Sequence, residues 1–247
     1  HKISISRYFS CFIKEIEMNH KLSILQKCTL FKDKSCNEIE AFLLKINPKE
    51  ETIAKNETIF SPVQIADRIG IILSGTVDVQ KIFPNGKVII VERKRASEMI
   101  GESSIFSKYK YYSDNIYTCK TTTVLFIKKS DLIRLFTLDN QVMLNFLEST
   151  SNSMLMLKHK IGILSLDSIQ EKISGYLVHY LQYENHSKDT NIVVLPFSKK
   201  AWAEYMDVSR SSLSRELRKL EAEGIVSFQK RTITITDIDR LSKILSL

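Results

Sequence analysis

Several residue types are scarce in this sequence, and each scarcity excludes a class of protein. There are 4 cysteines, none in a Cys-x-x-Cys pair, which is too few for a disulfide scaffold and favours a reducing, cytoplasmic setting. The 7 glycines and 4 prolines exclude collagen-like and low-complexity chains. No run of about 18 apolar residues occurs, so we expect no membrane-spanning helix.

The rest of the composition is that of a folded, moderately basic protein. Hydrophobic residues make up 43% and charged residues 26% of the 247 positions, which excludes wholesale disorder. The 36 lysines and arginines against 28 acidic residues give a net charge of +8. A chain of this length forms one large domain or two ordinary ones.

The first 17 residues are expected to be an extension of uncertain origin. His1 is not an initiator, and Met18 follows an apolar and aromatic stretch. We therefore expect the folded sequence to begin at Met18. Apolar residues at helical spacing then predict short helices over Lys21–Leu30 and Ser35–Leu44.

Residues 52–128 contain short β-rich runs separated by turn signals. Pro84-Asn85-Gly86 is a hairpin signal, and Ser74-Gly75 is a second turn. These runs predict an antiparallel sandwich, jelly roll or barrel within a domain of residues 18–137. The predicted strands are Thr58–Phe60, Ile69–Leu73, Thr76–Phe83, Val88–Glu92, Ile116–Cys119 and Thr122–Lys128.

A long helix is predicted from about Asp139 to Leu164, within a connecting segment of residues 138–166. Its apolar residues recur at alternating spacings of four and three, which is typical of a coiled-coil seam. The alternative is a single long helix buried in the core. Both interpretations can be correct if one face of the helix forms the seam and a second face, with Phe146, Met156 and Ile163, packs on the β domain. The seam predicts a homodimer interface through Met143, Leu147, Thr150, Met154, Leu157, Ile161 and Leu164.

Residues 167–247 predict a second domain that contains a helix-turn-helix. An apolar helix comes first, then a polar loop over Glu184–Thr190 and a strand over Ile192–Leu195. Ser198 caps a short helix over Lys199–Met206, and Asp207-Val208-Ser209 forms a turn. Ser209 caps a second, amphipathic helix over Arg210–Glu223, which ends at Gly224. Leucines 213, 217 and 220 lie on one face of that second helix.

The opposite face of the second helix has the chemistry that the major groove of DNA requires. An arginine fork can bind the O6 and N7 atoms of guanine, and serine hydroxyls can bind bases or phosphates. Ile225–Phe228 and Thr232–Ile235 predict a β-hairpin wing with a basic tip. A charged, solvated helix is the alternative, but cap, leucine row, glycine stop and wing together favour DNA binding. The candidate DNA-binding residues are Ser198, Lys199, Lys200, Ser209, Arg210, Ser211, Ser214, Arg215, Arg218, Lys230 and Arg231.

From about Phe31 to Ile235 the chain resembles the Crp/Fnr family of bacterial transcription regulators. The family's recognition pattern is similar to the segment Val208-Ser209-Arg210-Ser211-Ser212-Leu213-Ser214-Arg215. An early turn of the family's β domain is similar to Ser74-Gly75-Thr76-Val77. The resemblance implies an α+β fold: an N-terminal jelly roll of the cyclic-nucleotide-binding type, a long dimerisation helix and a C-terminal winged helix-turn-helix. It also implies that Arg210, Ser214 and Arg215 contact DNA. Ser211 stands where well-known members have a cytosine-reading glutamate, so a different operator is expected.

The resemblance also marks an effector pocket, and there the sequence departs from members that bind cyclic AMP. Gly101-Glu102, followed by Ser103, resembles the start of the family's phosphate cassette. The family's phosphate-binding arginine-serine pair becomes Tyr112-Ser113, and its adenine-reading threonine-serine pair becomes Leu157-Lys158. Without the arginine a bound phosphodiester lacks its principal cation, which argues against cyclic AMP.

Other effectors and cofactors stay open at this point. The spacing of Cys11, Cys28, Cys36 and Cys119 does not resemble the family's iron–sulfur arrangement. Haem ligation by a histidine stays possible in principle, with His20, His159, His179 and His186 as the candidates. Motifs typical of nucleotide-dependent enzymes, metalloproteases and serine hydrolases are absent from the sequence, so no enzymatic activity is expected.

We therefore expect a cytoplasmic, homodimeric transcription regulator that binds near-palindromic double-stranded DNA and responds to an unknown small-molecule effector. Whether it activates by contact with RNA polymerase or represses by occlusion stays open. The alternative function is a small-molecule or haem sensor whose winged helix docks protein instead of DNA.

Overall fold

The computed structural model describes residues 15–86, 88–184, 191–195 and 198–245. The chain divides into two compact units, the first ending at Asn152 and the second beginning at Ser153. This boundary falls inside the segment 138–166 that the sequence predicts as the connection between domains. None of the helices in the described ranges is long and apolar enough to cross a membrane.

The first unit begins with helical segments that form one side of its core. Helix α1 covers the described residues 15–26, so residues 15–17 of the predicted extension continue a helix through Met18. A 3₁₀ turn (Thr29–Phe31) and α2 (Cys36–Lys45) follow. Ser35 and Glu38 close the start of α2 with a capping box, in which each side chain accepts the other's backbone N–H.

Two antiparallel four-stranded sheets form the body of the first unit, which confirms the predicted jelly-roll type of fold. One sheet has the strand order β1-β8-β3-β6 and the other the order β2-β7-β4-β5. A four-residue helix, α3 (Glu102–Ile105), lies between β6 and β7 in the chain. The strands are β1 (Lys49–Ile53), β2 (Thr58–Phe60), β3 (Arg68–Ser74), β4 (Thr76–Ile82), β5 (Val88–Arg95), β6 (Met99–Ile100), β7 (Asn115–Thr118) and β8 (Thr122–Lys128).

The long helix is preceded by a helix that the sequence analysis did not predict. Helix α4 (Lys129–Leu138) packs on β8, and α5 (Asn140–Leu164) follows after one residue. The buried Asn145 of α5 donates its amide to the carbonyl oxygens of Leu30 (3.2 Å) and Lys32 (2.9 Å). These bonds fix the first turns of α5 to the 3₁₀ segment of the first unit.

The two predicted faces of α5 are only partly as expected. Phe146 is buried in the core of the first unit, as the second-face interpretation requires. Ile163 is buried in the core of the second unit and Met156 is exposed, so the expected packing on the β domain was wrong at these two positions. The helix turns Met156 outward together with its neighbours Leu155 and Leu157. Met143 and Thr150 of the predicted seam are half-buried, and Leu147, Met154, Leu157, Ile161 and Leu164 are exposed.

The second unit is a small helical domain with a three-stranded sheet. Its core surrounds the fully buried Trp202. Predicted loop residues 185–190 lie outside the described residues, whereas residues 180–184 form a π-helical turn. Helix α9 was not predicted. The elements are α6 (Ile169–His179), β9 (Ile192–Val194), α7 (Lys199–Tyr205), α8 (Arg210–Ala222), β10 (Val226–Gln229), β11 (Thr232–Ile235) and α9 (Ile238–Lys243), with sheet order β10-β11-β9.

The turn between β3 and β4 depends on a glycine with two independent constraints. Gly75 has φ +107°, and a Cβ atom there would lie 2.6 Å from the Cα of Thr122. We expect Gly75→Ala to lower the free energy of unfolding by about 3 kcal/mol or more, because backbone strain and overpacking add. Urea unfolding followed by circular dichroism measures this loss.

Gly86 provides the matched control for that substitution. It has φ +80°, but a Cβ atom there has nothing within 4 Å. Gly86→Ala should therefore cost only the backbone term, about 1–2 kcal/mol. Equal losses at Gly75 and Gly86 would contradict the role assigned to the Thr122 contact.

Candidate nucleic-acid interface

Two capped helices and a tight turn position the predicted DNA-binding residues. The Ser198 hydroxyl accepts the N–H of Ala201 at the start of α7, and Ser209 accepts the N–H of Ser212 (3.0 Å) at the start of α8. Between the helices Asp207 has φ +54°, and the N–H of Val208 donates to the carbonyl of Ala203. The serine caps and the turn thus lie where the sequence predicted them.

Helix α8 has one fully buried face and one face open to solvent. Leu213, Leu217 and Leu220 are completely buried in the core of the second unit. Because they are spaced at helical intervals, the opposite face is turned outward. A shallow depression follows this outer face and is lined by Ser211, Ser214, Arg215, Arg218, Lys219 and Ala222.

Four of the predicted contact residues on α8, namely Ser211, Ser214, Arg215 and Arg218, line this outer face. Arg210 stands at the first position of the helix, three residues before Leu213 and seven before Leu217, so it lies on the leucine side and not on the opposite face predicted for it. Arg210, Ser211, Arg215 and Arg218 are exposed, and Ser214 is half-buried. The Nε of Arg215 lies 3.4 Å from a carboxylate oxygen of Glu216. Lys219, which the sequence analysis did not select, adds a further exposed cation to the depression.

The start of α7 brings further positive charge to the same region. The ammonium of Lys199 lies 3.8 Å from the ring centre of Phe228 in the wing. Partial burial lowers the pKa of Lys199, the charges of Arg218 and Arg210 lower it further, and Glu221 opposes them. Lys200 is exposed, and its Nζ atom lies 3.9 Å from the Oε1 atom of Glu204. An anion bound here would relieve the mutual repulsion of these cations.

The wing has the predicted basic tip. Strands β10 and β11 pair in register from Val226 opposite Ile235 to Gln229 opposite Thr232. The two-residue tip between them is Lys230, with φ +55°, and Arg231, and both side chains are exposed. The wing is joined to α8 by the backbone N–H of Phe228, which donates to Glu221 (3.3 Å).

In the first unit, the predicted effector glutamate has an internal partner. Glu102 is buried and forms an ion pair with Lys94, which is buried as well. The ammonium of Lys94 also donates to the carbonyl of Met99 (2.8 Å). Gly101, which directly precedes Glu102, has φ +79°. The side chain of Ser103 is exposed. The carboxylate of Glu102 therefore neutralises a lysine of its own domain.

Tyr112 stands where the resemblance places a phosphate-binding arginine, and it is part of the core. Its ring stacks on Phe60 with 4.1 Å between centres, and its hydroxyl donates to the carbonyl of Arg68 (2.7 Å). Burial raises the pKa of Tyr112 to about 12. The neighbouring Ser113 donates its N–H to the hydroxyl of Ser104 (3.1 Å). Leu157, the remaining predicted pocket residue, is exposed and lies in the second unit.

The candidate metal and haem ligands are dispersed, with one exception. The rings of His159 and His179 stack with 3.3 Å between centres, and burial together with the nearby His179 lowers the pKa of His159 to about 4. Cys28, Cys36 and Cys119 are free thiols, and Cys11 and His186 lie outside the described residues. Across the described ranges no three His, Cys, Asp or Glu side chains are grouped to hold a metal ion.

Known protein families match both units of this chain. The cyclic nucleotide-binding domain matches residues 50–139, and the Crp-like helix-turn-helix domain matches residues 171–244. Together these matches span the β domain and the helix-turn-helix described above.

Individual proteins align with most of the chain. The global nitrogen regulator of Nostoc is 26% identical over 199 residues, 76% of this chain and 85% of the relative. A CRP-like cAMP-activated global transcriptional regulator of Mycobacterium tuberculosis is 20% identical over 226 residues, 89% of this chain and 97% of that protein. The fold is similar to that of a CooA mutant from Carboxydothermus hydrogenoformans, with a TM-score of 0.60, 15% identity and coverage of 87% and 92% of the two chains.

These matches agree with the geometry of the two units. The antiparallel β domain has the fold of a sensory domain of the cyclic-nucleotide-binding type. The C-terminal domain has the two capped helices and the wing of a DNA-binding domain. The chain belongs to the Crp/Fnr family of transcriptional regulators.

Proposed function

We propose that this regulator binds DNA by inserting α8 into the major groove, where Arg215 and Arg210 bind guanine edges. The observation that carries the proposal is the outer face of α8, which presents Arg215 and Arg218 to solvent opposite three fully buried leucines, while Arg210 is exposed at the start of the helix. Planar guanidinium groups on an exposed helix match the paired acceptors of guanine. Ser211 and Ser214 line the same face and supply hydroxyls.

The remaining cations of the interface would hold the DNA backbone. Lys199 and Lys200 lie in the first turn of α7, whose N-terminal amides, like Ser198 and Ser209 at the helix starts, suit phosphate oxygens. Lys230 and Arg231 at the tip of the wing extend the contact along the duplex, and Arg218 lies farther along α8. Such contacts fix the register of the protein on DNA and make its affinity depend on salt.

We further propose that two copies pair through the outer face of α5. Leu147, Met154, Leu157 and Ile161 are exposed there, and an apolar stripe of this kind is unfavourable in water unless a second surface covers it. Pairing through a heptad-like seam would give a twofold dimer. Two copies of α8 would then meet successive major grooves about 34 Å apart on a near-palindromic site.

The effector of this regulator is proposed to be a molecule other than cyclic AMP. The Glu102 carboxylate is neutralised by Lys94, and Tyr112 packs in the core at the position of the phosphate-binding arginine. A cyclic phosphodiester would therefore meet no arginine fork at this position. We also propose that the regulator acts in the cytoplasm, a location that the free thiols of Cys28, Cys36 and Cys119 support.

Arg215→Ala should relax the base preference at one position of each half-site. Loss of a bidentate guanine contact costs about 1–3 kcal/mol of discrimination. Selection from random duplexes, followed by titration of the preferred site and its single-base variants, measures this change. Arg134→Ala removes an exposed arginine from the first unit and should leave the preference intact.

Two outcomes of that experiment would refute the proposed DNA-binding function. One is a wild-type protein that selects no preferred sequence, with affinity that does not fall as salt rises. The other is an Arg215→Ala variant whose base preference equals that of the wild type.

Leu157→Asp combined with Ile161→Asp should convert the protein to monomers at micromolar concentration. Each substitution puts a carboxylate into the proposed apolar seam, where burial in a dimer would strip it of water. Sedimentation velocity measures the mass in solution. Leu44→Asp is the control, because Leu44 is 83% exposed on α2, outside the seam. A double variant that sediments like the wild type would contradict dimerisation through α5.

Lys94→Ala should lower the free energy of unfolding by about 3–5 kcal/mol, because it leaves the buried Glu102 carboxylate without its counter-ion. Glu102→Ala in the same chain removes the uncompensated charge, so the double variant should be more stable than Lys94→Ala alone. Urea titration of the four proteins in this cycle gives the coupling energy. Additive losses would show that Lys94 does not neutralise Glu102.

A further inference from the structure

A partly buried carboxylate lies among the cations of the interface. Glu216 on α8 is only 12% exposed, whereas its neighbours Arg215 and Lys219 are 67% and 55% exposed. One carboxylate oxygen, Oε1, accepts from the Nζ of Lys219 at 3.1 Å and from the Nε of Arg215 at 3.4 Å. One anion thus contacts two cations of the proposed groove-binding face.

The other oxygen of the same carboxylate is held from a different helix. Glu216 Oε2 accepts from the side-chain amide of Gln170 in the first turn of α6, at 3.2 Å. The start of α6 is itself closed by the capping box of Ser168 and Glu171. Gln170 therefore lies on a well-defined helix end, and Glu216 connects that end to Arg215.

From this geometry we propose that Glu216 is a positioning residue, which holds Arg215 in the orientation that reads a base and so sets sequence selectivity. The inference rests on the proposed DNA-binding function. A long arginine side chain in solvent samples many rotamers, and restricting them before binding reduces the entropy lost on binding. The Nε atom of Arg215 faces Glu216, which leaves the terminal amino groups of the guanidinium for the base edge.

The same carboxylate must weaken binding to DNA in general. Partial burial opposes its ionisation, but hydrogen bonds from Lys219 and Arg215 hold the pKa of Glu216 below its usual value, so it is charged at neutral pH. A negative charge beside the phosphates repels them, and it also engages Lys219. Glu216 therefore lowers the affinity for DNA of any sequence, and by orienting Arg215 it raises the preference for the operator.

This opposition defines the test. In Glu216→Gln the shape is kept and the charge is lost, so affinity for duplexes without an operator should rise about twofold. The ratio of operator affinity to non-operator affinity should fall about fivefold or more, because Arg215 is no longer held. Both affinities are measured by fluorescence anisotropy with the selected duplex and a scrambled duplex of equal length.

Two further variants separate charge from orientation. Glu223→Gln removes a carboxylate that follows α8 and pairs with Arg240, so it should change charge without changing the affinity ratio. Gln170→Ala removes the anchor without changing charge, so the ratio should fall while non-operator affinity stays constant. Circular dichroism of each variant confirms that the helices are intact.

Each result bears on a single proposal. An unchanged affinity ratio in Glu216→Gln, or equal loss of both affinities, would overturn the positioning role while the wild type still selects its operator. A wild-type protein without any operator preference refutes the proposed DNA-binding function itself. A rise in non-operator affinity with a falling ratio, absent from Glu223→Gln, supports the positioning role.

Discussion

The burial of three leucines on α8 is the constraint on which the candidate interface depends. Leu213, Leu217 and Leu220 occupy the core around Trp202, and each buried leucine contributes on the order of 2 kcal/mol relative to an exposed one. This packing fixes the rotation of α8 about its axis. The arginines and serines between the leucines are consequently turned outward, so the core of the domain determines which side chains DNA can meet.

The elements with local signals were predictable from the sequence. Ser198 and Ser209 are caps, Gly224 ends α8 with φ +71°, and the strands Thr58–Phe60, Thr122–Lys128 and Thr232–Ile235 have the predicted bounds. The missed elements lack such signals. Strand β1 reads Lys-Glu-Glu-Thr-Ile and is mostly solvated at a sheet edge, β6 has two residues, and α4 merges in sequence with its neighbours β8 and α5. These elements form because of strand pairing and helix packing with residues distant in the sequence, which a local pattern does not show.

The side-chain contacts that give the sites their character were beyond sequence reasoning for the same reason. Lys94 and Glu102 are eight residues apart on different elements, and Gln170 and Glu216 are 46 residues apart. A sequence pattern shows that a cation or a carboxylate exists, but only the fold shows which one it faces. The resemblance marked Glu102 as a ligand residue, whereas the structure gives it a lysine partner within its own domain.

Asn145 holds the first half of the long helix to the first unit. Its amide donates to the carbonyl groups of Leu30 and Lys32, so a slide of α5 by one residue along the first unit would break both bonds, and the bond to Leu30 is buried. Motion in this half is therefore restricted to displacements that the whole β domain shares. Beyond Asn152 the helix belongs to the second unit, where this restraint does not act and the side chains of Met154, Leu155 and Met156 are exposed.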